Sequence, residues 1–242
     1  MNFISREHFN TYLKKLKYLG QGSQGTCYLR KEDNTVFKVF HDYFDNESSG
    51  YTKEFLLRFS NIKNSTFIWP NDIITVKNEI VGYTMPYKKS KNLYEINPLL
   101  VKLNILEDAT IKAEEDVKLL TDNKVKLYDV RYNILYSNGT MNIIDTLEYS
   151  SREVTYEENR QNIDEELMLF LVDNYFDNFV KSDKILKEMY MEFQVRGVDF
   201  LRVFRRKLSE YMDKDIVKLN EAKTLVRRNS NNPVYIRGIN VK

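Results

Sequence analysis

Glycine is scarce in this chain, eight in 242 residues, yet three of the eight stand within six positions at Gly20, Gly22 and Gly25. Gly20-Gln21-Gly22-Ser23-Gln24-Gly25 reads G-x-G-x-x-G, a pattern that lets backbone approach a phosphate in more than one fold. The flanks decide between folds. A dinucleotide-binding turn requires a helix to open at the third glycine, whereas Thr26-Cys27-Tyr28-Leu29 favours a strand. The glycines therefore sit in a loop that joins two antiparallel strands.

Around that loop the chain alternates strand-like runs with turn residues. Tyr18-Leu19, Thr26–Leu29 and Thr35–Phe40, the last two separated by Glu32-Asp33-Asn34, predict a three-stranded antiparallel meander. Before it, Phe9, Tyr12, Leu13 and Leu16 fit either a short helix or an extended lead-in. After it, Tyr51–Phe59 predicts one short helix. Phe67–Pro70 through Ile73–Val76 and Glu79–Met85 predict a further hairpin. Beyond Pro86 the periodicity becomes helical over Leu99–Leu120, Asp164–Phe193 and Val198–Met212. One hairpin interrupts it, because Asn133–Ser137 and Thr140–Asp145 flank Asn138-Gly139, a strong two-residue turn signal. Val234-Tyr235-Ile236 is a candidate small strand near the end.

Composition narrows the function classes. Thirty-seven Lys and Arg against 35 Asp and Glu leave a formal charge of +2, which gives no electrostatic case for nucleic acid or a membrane surface. The one cysteine, Cys27, excludes an intrachain disulfide framework, and with two histidines the chain lacks the ligands of a zinc site. No stretch approaches the roughly 20 apolar residues that span a bilayer, and the first residues lack a basic start followed by an apolar run. The expectation is a cytoplasmic chain with no nucleic-acid or membrane partner.

Several further residues carry possible chemistry, each with a plain alternative. Lys38 lies inside the apolar strand Val36-Phe37-Lys38-Val39, either paired with an acid or extending its stem to solvent from a sheet edge. Glu54, on the next predicted helix, is the candidate partner. Leu127–Leu135 places Asp129 and Asn133 ahead of a strand, and Ile143-Ile144-Asp145 ends the hairpin with an acid. Such an acid is costly unless paired, metal-bound or solvated, though a strand-end aspartate in a turn is common. Cys27 and Trp69 read as packed residues, and Arg202, Arg205, Arg206 and Lys207 as a solvated helix face.

Taken in order, these motifs resemble the protein kinase superfamily over about residues 15–180, including its small bacterial and aminoglycoside-kinase-like members. The resemblance implies an α+β, two-lobed protein-kinase-like fold. Its small antiparallel β N-lobe with one helix would cover residues 1–87, and a mainly helical C-lobe residues 88–242. It implies ATP under Gly20, Gly22 and Gly25, Lys38 on the phosphates with Glu54 orienting it, and adenine against backbone near Thr84–Tyr87, including Met85. Asp129 would be the catalytic base, and Asn133 and Asp145 would hold Mg2+.

The implied reaction transfers the γ-phosphate to a hydroxyl of a protein or small molecule. The catalytic-loop likeness departs from the family pattern H-R-D-L-x-x-x-N: its asparagine lies one residue closer to the aspartate, and histidine and arginine are absent. Aligned without a gap from Asn133, Tyr128 takes the base position, which implies a pseudokinase, a nucleotide-binding or protein-interaction module without transfer. Thr146-Leu147 replaces the usual phenylalanine and glycine, and no A-P-E follows, so the activation segment is short.

Overall fold

Alternating apolar residues in the first ninety positions build one sheet. In the computed structural model, which describes residues 1–45, 50–173, 175–192 and 195–225, the chain divides into two compact units, both parts of a mixed α+β structure. The first comprises Met1–Lys63 and Ile68–Lys89.

Its strands are β1 (Asn2–Phe3), β2 (Lys17–Gln21), β3 (Gly25–Arg30), β4 (Thr35–Phe40), β5 (Asp72–Val76) and β6 (Glu79–Pro86), in the spatial order β1-β5-β6-β4-β3-β2. The meander and the later hairpin form where the alternation predicts them. The sheet is mixed rather than purely antiparallel, because β1, too short to carry a period, adds parallel to β5.

Among the described residues three helices rather than one accompany this sheet: α1 (Arg6–Leu13), α2 (His41–Asp45) and α3 (Lys53–Leu57). Ser5 caps α1 by accepting from the His8 N–H, which resolves the choice between helix and lead-in. Phe9 and Leu13 of α1 and Tyr43 of α2 pack with Phe37, Val39, Ile74, Val76 and Val81 into the core on one face of the sheet. Lys38, one residue out of phase with Phe37 and Val39, projects from the opposite face. Phe67–Pro70 does not open a strand; Phe67 makes a single bridge to Ile143, and Asn64–Phe67 belongs to the second unit.

The second unit continues from Ser90. It contains β7 (Lys91–Asn92), α4 (Leu103–Asp122), β8 (Val125–Lys126), β9 (Ile134–Ser137), β10 (Thr140–Ile143), β11 (Ser150–Ser151), α5 (Tyr156–Val172), α6 (Asp177–Ser182), α7 (Lys184–Glu192) and α8 (Gly197–Met212). The core of α4, α5 and α8 includes Leu106, Ala113, Val117, Ile163, Leu167, Phe200 and Phe204, with Phe200 stacked on Phe204 at 5.8 Å. Helix α5 opens at Tyr156, earlier than the apolar period indicates. Thr155 and Glu158 close a capping box there, and Asn159, Arg160, Asp164 and Glu166 are buried along it. The segment around Val234–Ile236 lies outside the described residues.

The β9–β10 hairpin turns through Asn138 at φ 43° and Gly139 at φ 83°. A Cβ on Gly139 would also come within 2.7 Å of the Ile105 side chain. Gly139→Ala is therefore expected to cost about 1–2 kcal/mol, read as a fall of a few degrees in Tm by thermal denaturation.

Candidate functional site

The three clustered glycines divide by what surrounds them. Gly25 packs against β4: a Cβ there would lie 2.3 Å from the Val39 carbonyl oxygen, so this position is fixed by strand approach. Gly20 and Gly22 differ. A Cβ on either would meet nothing within 4 Å, and neither has the positive φ that favours glycine. The turn closes on itself, with the Gly22 N–H donating to the Gly25 carbonyl at 2.9 Å. His41 holds it from β4's end, its Nε2 lying 2.8 Å from the Gly22 carbonyl while its backbone N–H donates to the Gln24 carbonyl at 3.1 Å.

Lys38 stands beside this hairpin. It is 5% exposed, pairs in the ladder with Cys27 on one side and Tyr83 on the other, and donates from Nζ to Gln24 Oε1 at 3.2 Å. The ammonium also lies 5.9 Å from the Tyr83 ring centroid. Burying a lysine in mid-strand is costly unless its charge is used. Glu54 makes no ion pair with it. Helix α3 is five residues long and buries Leu56, which leaves Glu54 at the surface in the first turn.

At the end of β6 the backbone groups expected to meet adenine are already partly engaged. The Tyr87 N–H donates to the Asn34 carbonyl at 2.8 Å, the Thr84 carbonyl accepts from the Asn71 N–H at 2.9 Å, and Pro86 has no N–H to give. Met85 is buried in register with Val36. Gly82 in the same strand approaches β4 so closely that a Cβ would lie 2.2 Å from the Lys38 carbonyl oxygen.

In the second unit the backbone bends sharply at each candidate acid. Asp129 has φ 49°, Tyr132 φ 66° and Asp145 φ 59°, all left-handed, and a bulky residue such as Tyr132 rarely adopts that region. The bends are braced. Asn133 donates from Nδ2 to the Asp129 carbonyl at 2.7 Å, which leaves Oδ1 as its acceptor atom, and its N–H donates to the Val130 carbonyl at 3.0 Å. The Ile144 N–H donates to the Asn133 carbonyl at 3.1 Å, joining the Asp129 loop to the residue before Asp145. The Asn92 side chain donates to the Tyr132 carbonyl.

Asp129 is exposed, and Asp145 and Asn133 are half-buried. The two acids share a neighbour. The Tyr149 phenol is 2% exposed, and burial first, then the charges of Asp129 and Asp145, raise its pKa far above the usual range. Tyr128, the other occupant of the base position, is half-buried, with Lys126 and Arg152 at 5.4 and 5.8 Å from its ring centroid. Arg131 reaches away from the loop to Glu166, which is buried, at 3.5 Å.

Some structural contributors carry no sequence signal. Asn159, fully buried at the end of the first turn of α5, accepts from the Leu127 N–H at 2.9 Å and donates to the Val125 carbonyl at 2.9 Å and Thr121 Oγ1 at 3.0 Å. It thereby fixes the strand that leads into Asp129. Nothing separates Asn159 in the text from the charged residues beside it. The basic set on α8 is internally neutralised: Arg202 pairs with Glu107 and Asp199, Arg205 with Asp215, Arg206 with Glu210 and Lys207 with Asp183.

Among the described residues no helix is long and apolar enough to cross a membrane, and no group of three or more His, Cys, Asp or Glu gathers to hold a metal. A scan against protein-family models finds no match for this chain, and a search of curated proteins finds none either.

Proposed function

We propose that the chain is an ATP-dependent phosphotransferase of the protein-kinase-like class, which passes the γ-phosphate to a hydroxyl on a protein or small molecule. The observation that carries the reading is Lys38, a buried cation in mid-strand with its ammonium on the glycine hairpin. A buried ammonium beside a glycine-rich hairpin is suited to an anion with several oxygens. Gly20 and Gly22 support it, since open space around both leaves close approach by something outside the chain as the reason for glycine.

In the second unit, Asp129 would accept the proton of the attacking hydroxyl, and its exposure leaves it accessible to an acceptor. Asp145 and Asn133 Oδ1 suit Mg2+, which commonly takes one or two carboxylates and completes its shell with phosphate oxygens and water. Bound there, Mg2+ would neutralise charge on the β- and γ-phosphates.

A second reading, nucleotide binding without transfer, draws on the short loop. Asn133 follows Asp129 by four residues and spends its amide N–H on the Asp129 carbonyl, a compact turn that need not present a base.

Incubation with radiolabelled ATP and Mg2+ separates the two. Transfer to the chain itself or to an added acceptor, lost in Asp129→Ala and in Asp145→Ala, is the result expected of the enzyme. Thermal stabilisation by Mg2+-ATP without transfer is the result expected of the binding module. Saturating nucleotide should raise Tm by about 5 °C or more, and Lys38→Ala should abolish that rise. Gly20→Ala and Gly22→Ala should weaken it while leaving the nucleotide-free Tm unchanged. No stabilisation and no effect of Lys38→Ala would remove both readings.

A further inference from the structure

His41 grips the glycine hairpin at two points. It is the first residue of α2, directly after β4, and its backbone N–H donates to the Gln24 carbonyl at 3.1 Å. Its side chain turns back to the same hairpin, with Nε2 2.8 Å from the Gly22 carbonyl oxygen. A carbonyl oxygen only accepts, so Nε2 carries the proton of this hydrogen bond.

The contact acts where the backbone is otherwise least constrained. Gly22 is exposed, a Cβ on it would meet nothing within 4 Å, and its φ is not positive. Neither packing nor a side chain of its own therefore fixes this residue, and glycine loses more conformational freedom than any other residue when it is held. The Gly22–Ser23 peptide is trans, so holding its carbonyl on His41 turns the Ser23 N–H to the opposite side. A flip of that unit about Gly22 would exchange donor for acceptor on the exposed hairpin, and the bond to His41 opposes it.

The anchor is shared with the lysine. Lys38, three residues before His41, donates from Nζ to Gln24 Oε1 at 3.2 Å. Gln24 is thus held at its carbonyl by His41 and at its side chain by Lys38, while the imidazole holds Gly22. One short stretch of backbone carries both the buried ammonium and the latch on the hairpin.

We infer that His41 is a positioning residue of the nucleotide site, whose imidazole fixes the glycine hairpin beside Lys38 before a nucleotide arrives and so sets nucleotide affinity. The inference rests on the nucleotide-binding reading above and deepens it. A loop ordered in advance binds more tightly, because less freedom is lost on binding.

His41→Gln carries an amide N–H as many bonds from the backbone as Nε2, whereas the amide of His41→Asn stops short, at the position of Nδ1. The dissociation constant of Mg2+-ADP for the full chain, measured by calorimetry, should rise about 3–10-fold in His41→Asn, the effect of one lost hydrogen bond. In His41→Gln it should stay near that of the unaltered chain. Without nucleotide, amide hydrogen exchange in the hairpin should quicken in His41→Asn and not in His41→Gln.

Equal Mg2+-ADP affinity in the two variants overturns the inference alone. So does a loss of affinity in His41→Asn with no change in hairpin exchange, which would mean that His41 does not act through the hairpin. If the unaltered chain does not bind Mg2+-ADP, the nucleotide-binding reading fails and the inference falls with it.

Discussion

Gly82→Ala and Gly25→Ala are expected to be among the most damaging single substitutions in the first unit, each costing about 3 kcal/mol or more. The reason is backbone against backbone. A methyl at Gly82 would lie 2.2 Å from the Lys38 carbonyl oxygen, and one at Gly25 would lie 2.3 Å from that of Val39. Neither obstacle can rotate away as a side chain would. Both strands flank β4 at the centre of the sheet, so relief would require parting ladders on either side of Lys38. Thermal unfolding should show Tm lower by about 6–12 °C in each variant. Gly20→Ala, with open space around it, should leave Tm within a degree or two, and equal losses at all three positions would refute the distinction.

The second large effect concerns Asp164, 1% exposed on α5. It pairs with Arg160 and accepts the Gly197 N–H at 2.7 Å, while Glu114 nearby pairs with Arg196. Asp164→Ala would leave the Arg160 charge and the Gly197 N–H without their acceptor, at a cost of about 3–5 kcal/mol. Asp164→Asn keeps an oxygen for Gly197 and should cost less. The pair of variants therefore separates the hydrogen bond from the charge.

The same residue makes stability depend on pH. Burial, the largest cause, pushes the Asp164 carboxyl up to about 6 despite the opposing Gly197 N–H and Arg160, with Glu114 adding to the rise. Between about pH 4 and 6 the folded chain then holds a proton that the unfolded chain has released. Stability from this group is present below that window and declines as pH rises through it, by up to roughly 3 kcal/mol. Subtracting the Tm of Asp164→Asn from that of the unaltered chain should give a difference that falls between pH 4 and 7. A flat difference would show that burial does not govern this carboxyl.

How far such features can be read from the text depends on whether their cause is local. The Asn138-Gly139 turn and the strands around Gly20–Gly25 are legible because turn chemistry and alternation act over a few residues. Thr155-Tyr156-Glu157-Glu158 also holds a local signal, a capping box, but the charged run behind it masks the buried face of α5. Asn159 and Asp164 are buried because of what α4, β8 and α8 bring to them, and no spacing within α5 conveys that.

The candidate site divides along the same line. Lys38 stands out as a cation in an apolar strand, and the hairpin makes Asp145 visible at its end. Order along the chain pairs Glu54 with Lys38, but the shortness of α3 leaves Glu54 at the surface.

The pairing of Cys27 with Lys38 across β3 and β4 has a practical consequence. Directly opposed residues in antiparallel strands place their side chains on the same face, a few ångströms apart. The only thiol in the chain is therefore a natural attachment point for a fluorophore or spin label, one per molecule, beside the glycine hairpin. Time-resolved emission from that single label would follow the hairpin's motions without any engineered cysteine.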